Sequence, residues 1–286
     1  MTAPLTLPPQ DTDGRGTPAE PAARFRDLLA AEWLKLWSLR STPWTYAVVF
    51  LAVVGFNAGT AYDTYRYWTG RDDRSRVDFI RDGMALQEAF NGNAATIPVL
   101  AAGAFGAVTV TAEYGTGLIR TTFAAVPARR SVMAAKAAVL AAVTTALGAL
   151  IALASFVSTQ AILSGRGLGV SLDHPGAARV VAASALLLPV GALTGLALGT
   201  LVRHMGTAIV LSVATLLILP LVFSSDRHWS AVVAHAMPYE AWERLTQPGT
   251  LQTAYPWSVG GAWTVYGVWA LGAVVITVMG VGRRDQ

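Results

Sequence analysis

Cysteine is absent from this 286-residue chain, so neither a disulfide nor a thiolate metal site has a part in what it does. Charge is scarce as well. Asp, Glu, Lys and Arg make up 13% of the residues, against roughly 25% in soluble domains, too few to cover a water-exposed globular surface. Lysine occurs only at Lys35 and Lys136, and neither belongs to a phosphate-binding loop, which needs Gly-Lys followed by Ser or Thr: Lys35 lies between Leu34 and Leu36, and Lys136 between Ala135 and Ala137. No basic patch with interleaved aromatics occurs, which argues against a nucleic-acid partner. The four histidines, His174, His204, His228 and His235, fall in loops or at the ends of apolar runs. A membrane hydrolase whose base sits beside a buried serine is thereby disfavoured. His228 and His235 with Asp226 lack the spacing of a metal site on one helix.

What remains is apolar: 53% of the chain, concentrated in six stretches free of charged residues. They run from about Pro43 to Ala61, Ala94 to Ala112, Ala137 to Ile162, Val180 to Val202, Met205 to Phe223 and Gly260 to Val281. Each matches or approaches the roughly 20 helical residues that cross a hydrocarbon core. The expectation is an all-α polytopic membrane protein with six transmembrane helices. Residues 1–23, rich in Pro, Thr and Asp, read as a disordered cytoplasmic tail, and 24–286 as one membrane domain. With the amino terminus inside, twelve of the 21 Lys and Arg residues lie on the inner side and nine outside, five of these nine in one Asp-rich loop. That balance, and the loop from Ala112 to Ala137 with four cations and only Glu113 against them, place both termini in the cytoplasm.

Arg24 to Ser41 reads as a helix with Phe25, Leu29, Trp33, Leu36 and Trp37 on one face, interrupted by Glu32, and with Asp27, Lys35 and Ser38 opposite. It either lies at the headgroup boundary or extends the first span up to a break at Pro43. Tyr62 to Asn93 is a polar outer loop opening with Tyr62, Tyr65, Tyr67 and Trp68 at the level of an interfacial belt. Ser224 to Ser258 is too short and polar to span, and suits short helices dipping into the outer leaflet. Gly191, Gly195 and Gly199, like Gly55 and Gly59, recur at every fourth position and suit close packing within one subunit or a dimer seam, the former preferred. Pro98, Pro189 and Pro220 are expected to bend their spans.

Carriers driven by ion gradients place ionisable groups at membrane depth, and the six runs contain none. If a solute crosses here, the energy comes from elsewhere. ATP is the obvious source, and an ATPase would have to be a separate polypeptide.

Two segments resemble the membrane permeases of type 2 ABC exporters, especially those of actinomycetes. The first is Ala31-Glu32-Trp33-Leu34-Lys35-Leu36-Trp37-Ser38-Leu39-Arg40-Ser41-Thr42, similar to that family's entry helix before the first span. The second is Glu113-Tyr114-Gly115-Thr116-Gly117-Leu118-Ile119-Arg120-Thr121-Thr122, followed by Pro127, Arg129, Arg130 and Lys136. The resemblance implies a dimer of membrane subunits, identical or not, bound to separate ATPase subunits that carry ATP and Mg. It implies a cytoplasmic loop that docks on the ATPase, re-entrant helices around Pro238, and no cofactor or catalytic residue on this chain. Glu32, Lys35, Glu113, Tyr114, Gly115, Thr116, Gly117 and Arg120 are the coupling candidates. Glu113 is expected to pair with Arg120 or with a cation on the partner, while Gly115 and Gly117 free the backbone for a turn. The rival expectation is a membrane scaffold or sensor that transports nothing.

Overall fold

The computed structural model describes residues 23–223, 227–247 and 255–281, so the tail expected over 1–23 lies, but for Ala23, outside the described residues. In chain order the helices are α1 Phe25–Ser38, α2 Ser41–Tyr67, α3 Asp73–Arg81, α4 Met84–Gln87, α5 Gly92–Thr116, α6 Leu118–Ala125, α7 Arg129–Ser164, α8 Ala177–Val202, α9 Met205–Val213, α10 Leu219–Val222, α11 His228–His235, α12 Pro238–Thr246 and α13 Val259–Gly280. No strand occurs among the described residues. Six stretches are long and apolar enough to cross a membrane: Ser41–Gly70, Met84–Thr116, Arg129–Ser164, Ala177–Val202, Met205–Val222 and Val259–Gly280. The chain is a multi-pass membrane protein.

Local chemistry sets several helix starts. The Asn91 side chain accepts from the backbone N–H of Asn93 at 2.9 Å to begin α5, and Ser258 Oγ accepts from Gly261 at 2.9 Å to begin α13. At 36 residues α7 is about 54 Å long, far more than a hydrocarbon core of about 30 Å, so several of its turns stand outside the apolar layer. A π-helical turn over Ala214–Ile218 separates α9 from α10, directly before Pro220.

The most buried span is α8, with 78% of its most apolar stretch enclosed, against 22% for the stretches starting at Ser41, Met205 and Val259. It forms the axis of the bundle. A Cβ on Gly195 would meet the Gly103 carbonyl oxygen of α5 at 1.8 Å, and one on Gly106 would meet that of Ala192 at 1.9 Å. On the other side a Cβ on Gly148 of α7 would lie 2.1 Å from the Ala185 oxygen. The Gly191, Gly195 and Gly199 stripe therefore packs inside the chain, as expected. Gly55 and Gly59 do not; among the described residues nothing beyond their own turn of helix lies within 4 Å of a Cβ at either. The outer faces are apolar and exposed, as at Val268 and Leu271, each 69% accessible, the signature of a surface that meets lipid.

The loop expected over Tyr62 to Asn93 is mostly helical instead, because α2 continues to Tyr67 and α3 and α4 fold back beneath it. Phe79 of α3 buries against Trp68, with ring centroids 5.2 Å apart, giving this polar segment an apolar anchor.

Candidate functional site

Where α1, α5 and α7 meet, four charged side chains gather. Lys136 Nζ donates to Glu32 Oε2 at 2.5 Å and to Glu113 Oε1 at 2.8 Å. Lys35 Nζ donates to Glu32 Oε1 at 2.7 Å and to Glu113 Oε1 at 3.3 Å. Glu32, Glu113 and Lys136 are all buried, while Lys35 keeps part of its side chain in the open. Two acids and two bases cancel, which is how a low-polarity environment tolerates them.

Helix geometry builds the cluster. Glu32 shares a face of α1 with Leu28 and Leu36, four residues before and after, and all three bury, Leu28 against Val132 and Leu36 against Val139 of α7. Of the apolar face expected on α1, Phe25, Trp33 and Trp37 are exposed, while Leu36 is buried. Glu32 sits at the middle of the buried stripe, with its carboxylate bonded to Lys136. Between Ser38 and Ser41 the backbone leaves the helix at Leu39, so α1 is a separate element and not an extension of the first span. Burial opposes the charged form of Lys35, yet its bonds with Glu32 and then Glu113 outweigh this and raise its pKa above the ordinary 10.5.

One expectation is corrected here. Glu113 does not pair with Arg120, which is exposed on α6; its described partners are Lys136 and Lys35. The helices of the second and third spans run past the uncharged stretches, so that Glu113 and Lys136, just beyond Ala112 and just before Ala137, are helical. Both sit near helix ends, Glu113 one turn before Thr116 and Lys136 two turns after Arg129.

The other candidates divide around the turn. Gly117 adopts φ +75°, the left-handed conformation that ends α5 and begins α6, and so meets the glycine expectation. Gly115 is helical, and a Cβ there would touch nothing within 4 Å. Thr116 Oγ1 donates back to the Ala112 carbonyl at 2.9 Å. Tyr114 and Arg120 face a different cleft, of about 470 Å³, which Phe123, Arg129 and Arg203 also line. Arg203 closes α8 at φ +59° and lays its guanidinium over the Tyr114 ring, 4.9 Å from the centroid. Sequence reasoning did not single out Lys136 for the charge cluster or Arg203 for the cleft beside Tyr114. The signal for Lys136 was a single cation inside an alanine run; for Arg203 there was none.

Beside the charge cluster runs a groove of about 270 Å³ between α1, α5 and α7, walled by Leu36, Leu39, Phe105, Val108 and Leu140. At the opposite end of the bundle α12 closes the core. Trp242 is 2% exposed and donates its indole N–H to Ser184 Oγ of α8 at 3.0 Å, while Arg244 Nε holds the Trp257 carbonyl at 2.8 Å. Burial pushes the Glu240 carboxyl up to about 7, helped by the neighbouring charge of Glu243, itself raised by burial. His228 and His235 form the two ends of α11, with His235 stacked on Trp257 at 4.6 Å, and the described residues hold no group of three possible metal ligands.

Neither models of known protein families nor curated proteins yield a match to this sequence.

Proposed function

We propose that this chain is the permease subunit of an ATP-binding cassette exporter in the plasma membrane, with both termini cytoplasmic. It forms the path for a hydrophobic or amphiphilic compound and leaves ATP hydrolysis to a separate subunit. One observation carries the reading: the Glu32–Lys35–Glu113–Lys136 cluster ties a separate amphipathic helix to two spans, directly above the turn at Gly117. A load applied to α6 from the cytoplasm reaches α5 through that turn and α1 and α7 through the ion pairs. The chain supplies the lever and no catalytic group.

Purification in mild detergent tests the reading. A stoichiometric P-loop ATPase should accompany the chain, and a crosslinker at Thr116 should join the two. A probe at Thr116 that reacts with an impermeant reagent from outside intact cells would overturn the orientation. Consistent absence of the ATPase would leave the scaffold or sensor reading in its place.

A further inference from the structure

Three arginines from three different elements meet in the cleft of about 470 Å³ beside the turn between α5 and α6: Arg120 on α6, Arg129 as the first residue of α7 and Arg203 at the end of α8. Among the described residues no Asp or Glu lines that cleft. Two of the guanidiniums are stacked, Arg203 over Tyr114 at 4.9 Å and Arg129 over Phe123 at 5.4 Å. Stacking engages the face of the ion and directs its N–H groups along the plane, so a stacked arginine can still grip an oxyanion. The start of α7 adds positive charge of its own, since Ala128 offers no side-chain cap and the first turn holds no acid.

Backbone strain marks one of the three. Arg203 is the one non-glycine residue with positive φ among the described residues, at +59°. Directly after a helix, glycine adopts that conformation freely and a residue with a Cβ does not. Keeping an arginine there puts its guanidinium into the cleft at the expense of local stability, a trade found where a ligand is held.

We propose that this cleft binds the phosphate of an anionic phospholipid from the surrounding leaflet. Its depth selects a lipid. The apolar run of α8 ends at Val202, directly before Arg203, and the neighbouring Leu118, Leu201 and Met205 are exposed. The arginines therefore stand where the hydrocarbon layer stops, at the level of lipid phosphates. Ile119 and Phe123 give the same cleft apolar walls, which suit the glycerol and first methylenes of a lipid and offer nothing to a fully hydrated free phosphate. A zwitterionic head brings its own cation, so it gains less from three arginines than a head with net negative charge. The site does not depend on an ATPase partner; the proposed orientation only assigns it to the inner leaflet.

Native mass spectrometry of the full-length protein released from nanodiscs of equal parts phosphatidylglycerol and phosphatidylcholine tests the site. Phosphatidylglycerol should be retained about tenfold over phosphatidylcholine, and Arg203→Gly, which removes the guanidinium and relieves the backbone, should lower that preference about fivefold with little change in melting temperature. Arg120→Gln, at an exposed position where folding is not at stake, should lower it by a similar factor. Arg130→Gln removes an equal charge from the next, exposed position of α7, outside the cleft, and should leave the preference intact. Equal retention of the two lipids, or an equal loss in Arg130→Gln, would overturn the site. Displacement of phosphatidylglycerol by inorganic phosphate at matched ionic strength would overturn the lipid and leave a site for free anions. A rival occupant lies in the chain itself: Gly280 of α13 faces Thr200, about one turn before Arg203, and the sequence after Val281 holds one acid, Asp285. Lipid preference that emerges only in Asp285→Asn would assign the arginines to that segment instead.

Discussion

Lys136 and Glu113 lie 23 residues apart in sequence and 2.8 Å apart in space, Nζ to Oε1, with both side chains almost entirely enclosed. The same ammonium also holds Glu32, so Lys136 bridges both carboxylates from a buried position, while the partly exposed Lys35 bridges them with a longer bond to Glu113. Lys136→Met should therefore destabilise the protein by about 3–5 kcal/mol, the usual result of stranding a buried charge. Combining it with Glu113→Gln should cost less than the sum of the two single changes, with a coupling of about 0.5–3 kcal/mol. Thermal unfolding of the four proteins in one detergent reads the cycle. Additive losses would show that the pair does not act as a unit.

A second prediction concerns backbone contact. Gly195→Ala puts a methyl 1.8 Å from the Gly103 carbonyl oxygen, and backbone on both sides leaves nothing soft to yield. The helices must separate, with a loss of about 1–3 kcal/mol or more. Gly59→Ala, with open space around the new methyl, is the control and should leave the melting temperature unchanged or slightly higher.

How much of this was legible in the residues alone follows from what kind of signal each feature left. The six spans were plain because length and apolarity are local properties, and the α8 glycine stripe because its period is that of the helix. The burial of Glu32 on α1 was not. Glu32 looks like a flaw in an aromatic stripe until its partner is known, and that partner lies 104 residues away. For Glu113 the residues alone offered Arg120, in the same loop, or a cation on a partner subunit. Once α5 ends at Gly117, the chain reverses and carries Arg120 out to solvent, while α7 brings Lys136 back beside Glu113. Ion pairs between helices are set by tertiary packing, which proximity along the chain does not report.

The α12 closure gives a third expectation. Trp242→Ala should cost about 3–5 kcal/mol, as for other large buried side chains. Ser184→Ala, which removes only the acceptor of the indole N–H, should cost about 1–3 kcal/mol. Limited proteolysis near residues 238–246 should speed up in both variants, more so in the first.

Acidity supplies the fourth. Glu240 has its carboxyl held at about 7, above an ordinary 4.5, chiefly by burial and then by Glu243. A raised carboxyl pKa means that the folded state holds its proton more tightly. The stability this provides is complete below about pH 4.5 and is lost as pH rises through 7. Hydrogen exchange in α12, corrected for intrinsic rates, should be faster at pH 8 than at pH 5.5, and Glu240→Gln should shrink that difference. An unchanged pH dependence in the variant would assign the effect to another group.

The glycine contact between α5 and α8 also limits how this protein can move. Two helices whose carbonyl oxygens sit against glycines of the other have no compressible side-chain layer between them, and sliding one past the other would drive those oxygens into the Cβ atoms of neighbouring residues. They therefore work as a fixed axle. Any opening of a route through the protein must come from its loosely seated members, α2, the interrupted α9–α10 pair and α13, swinging around it.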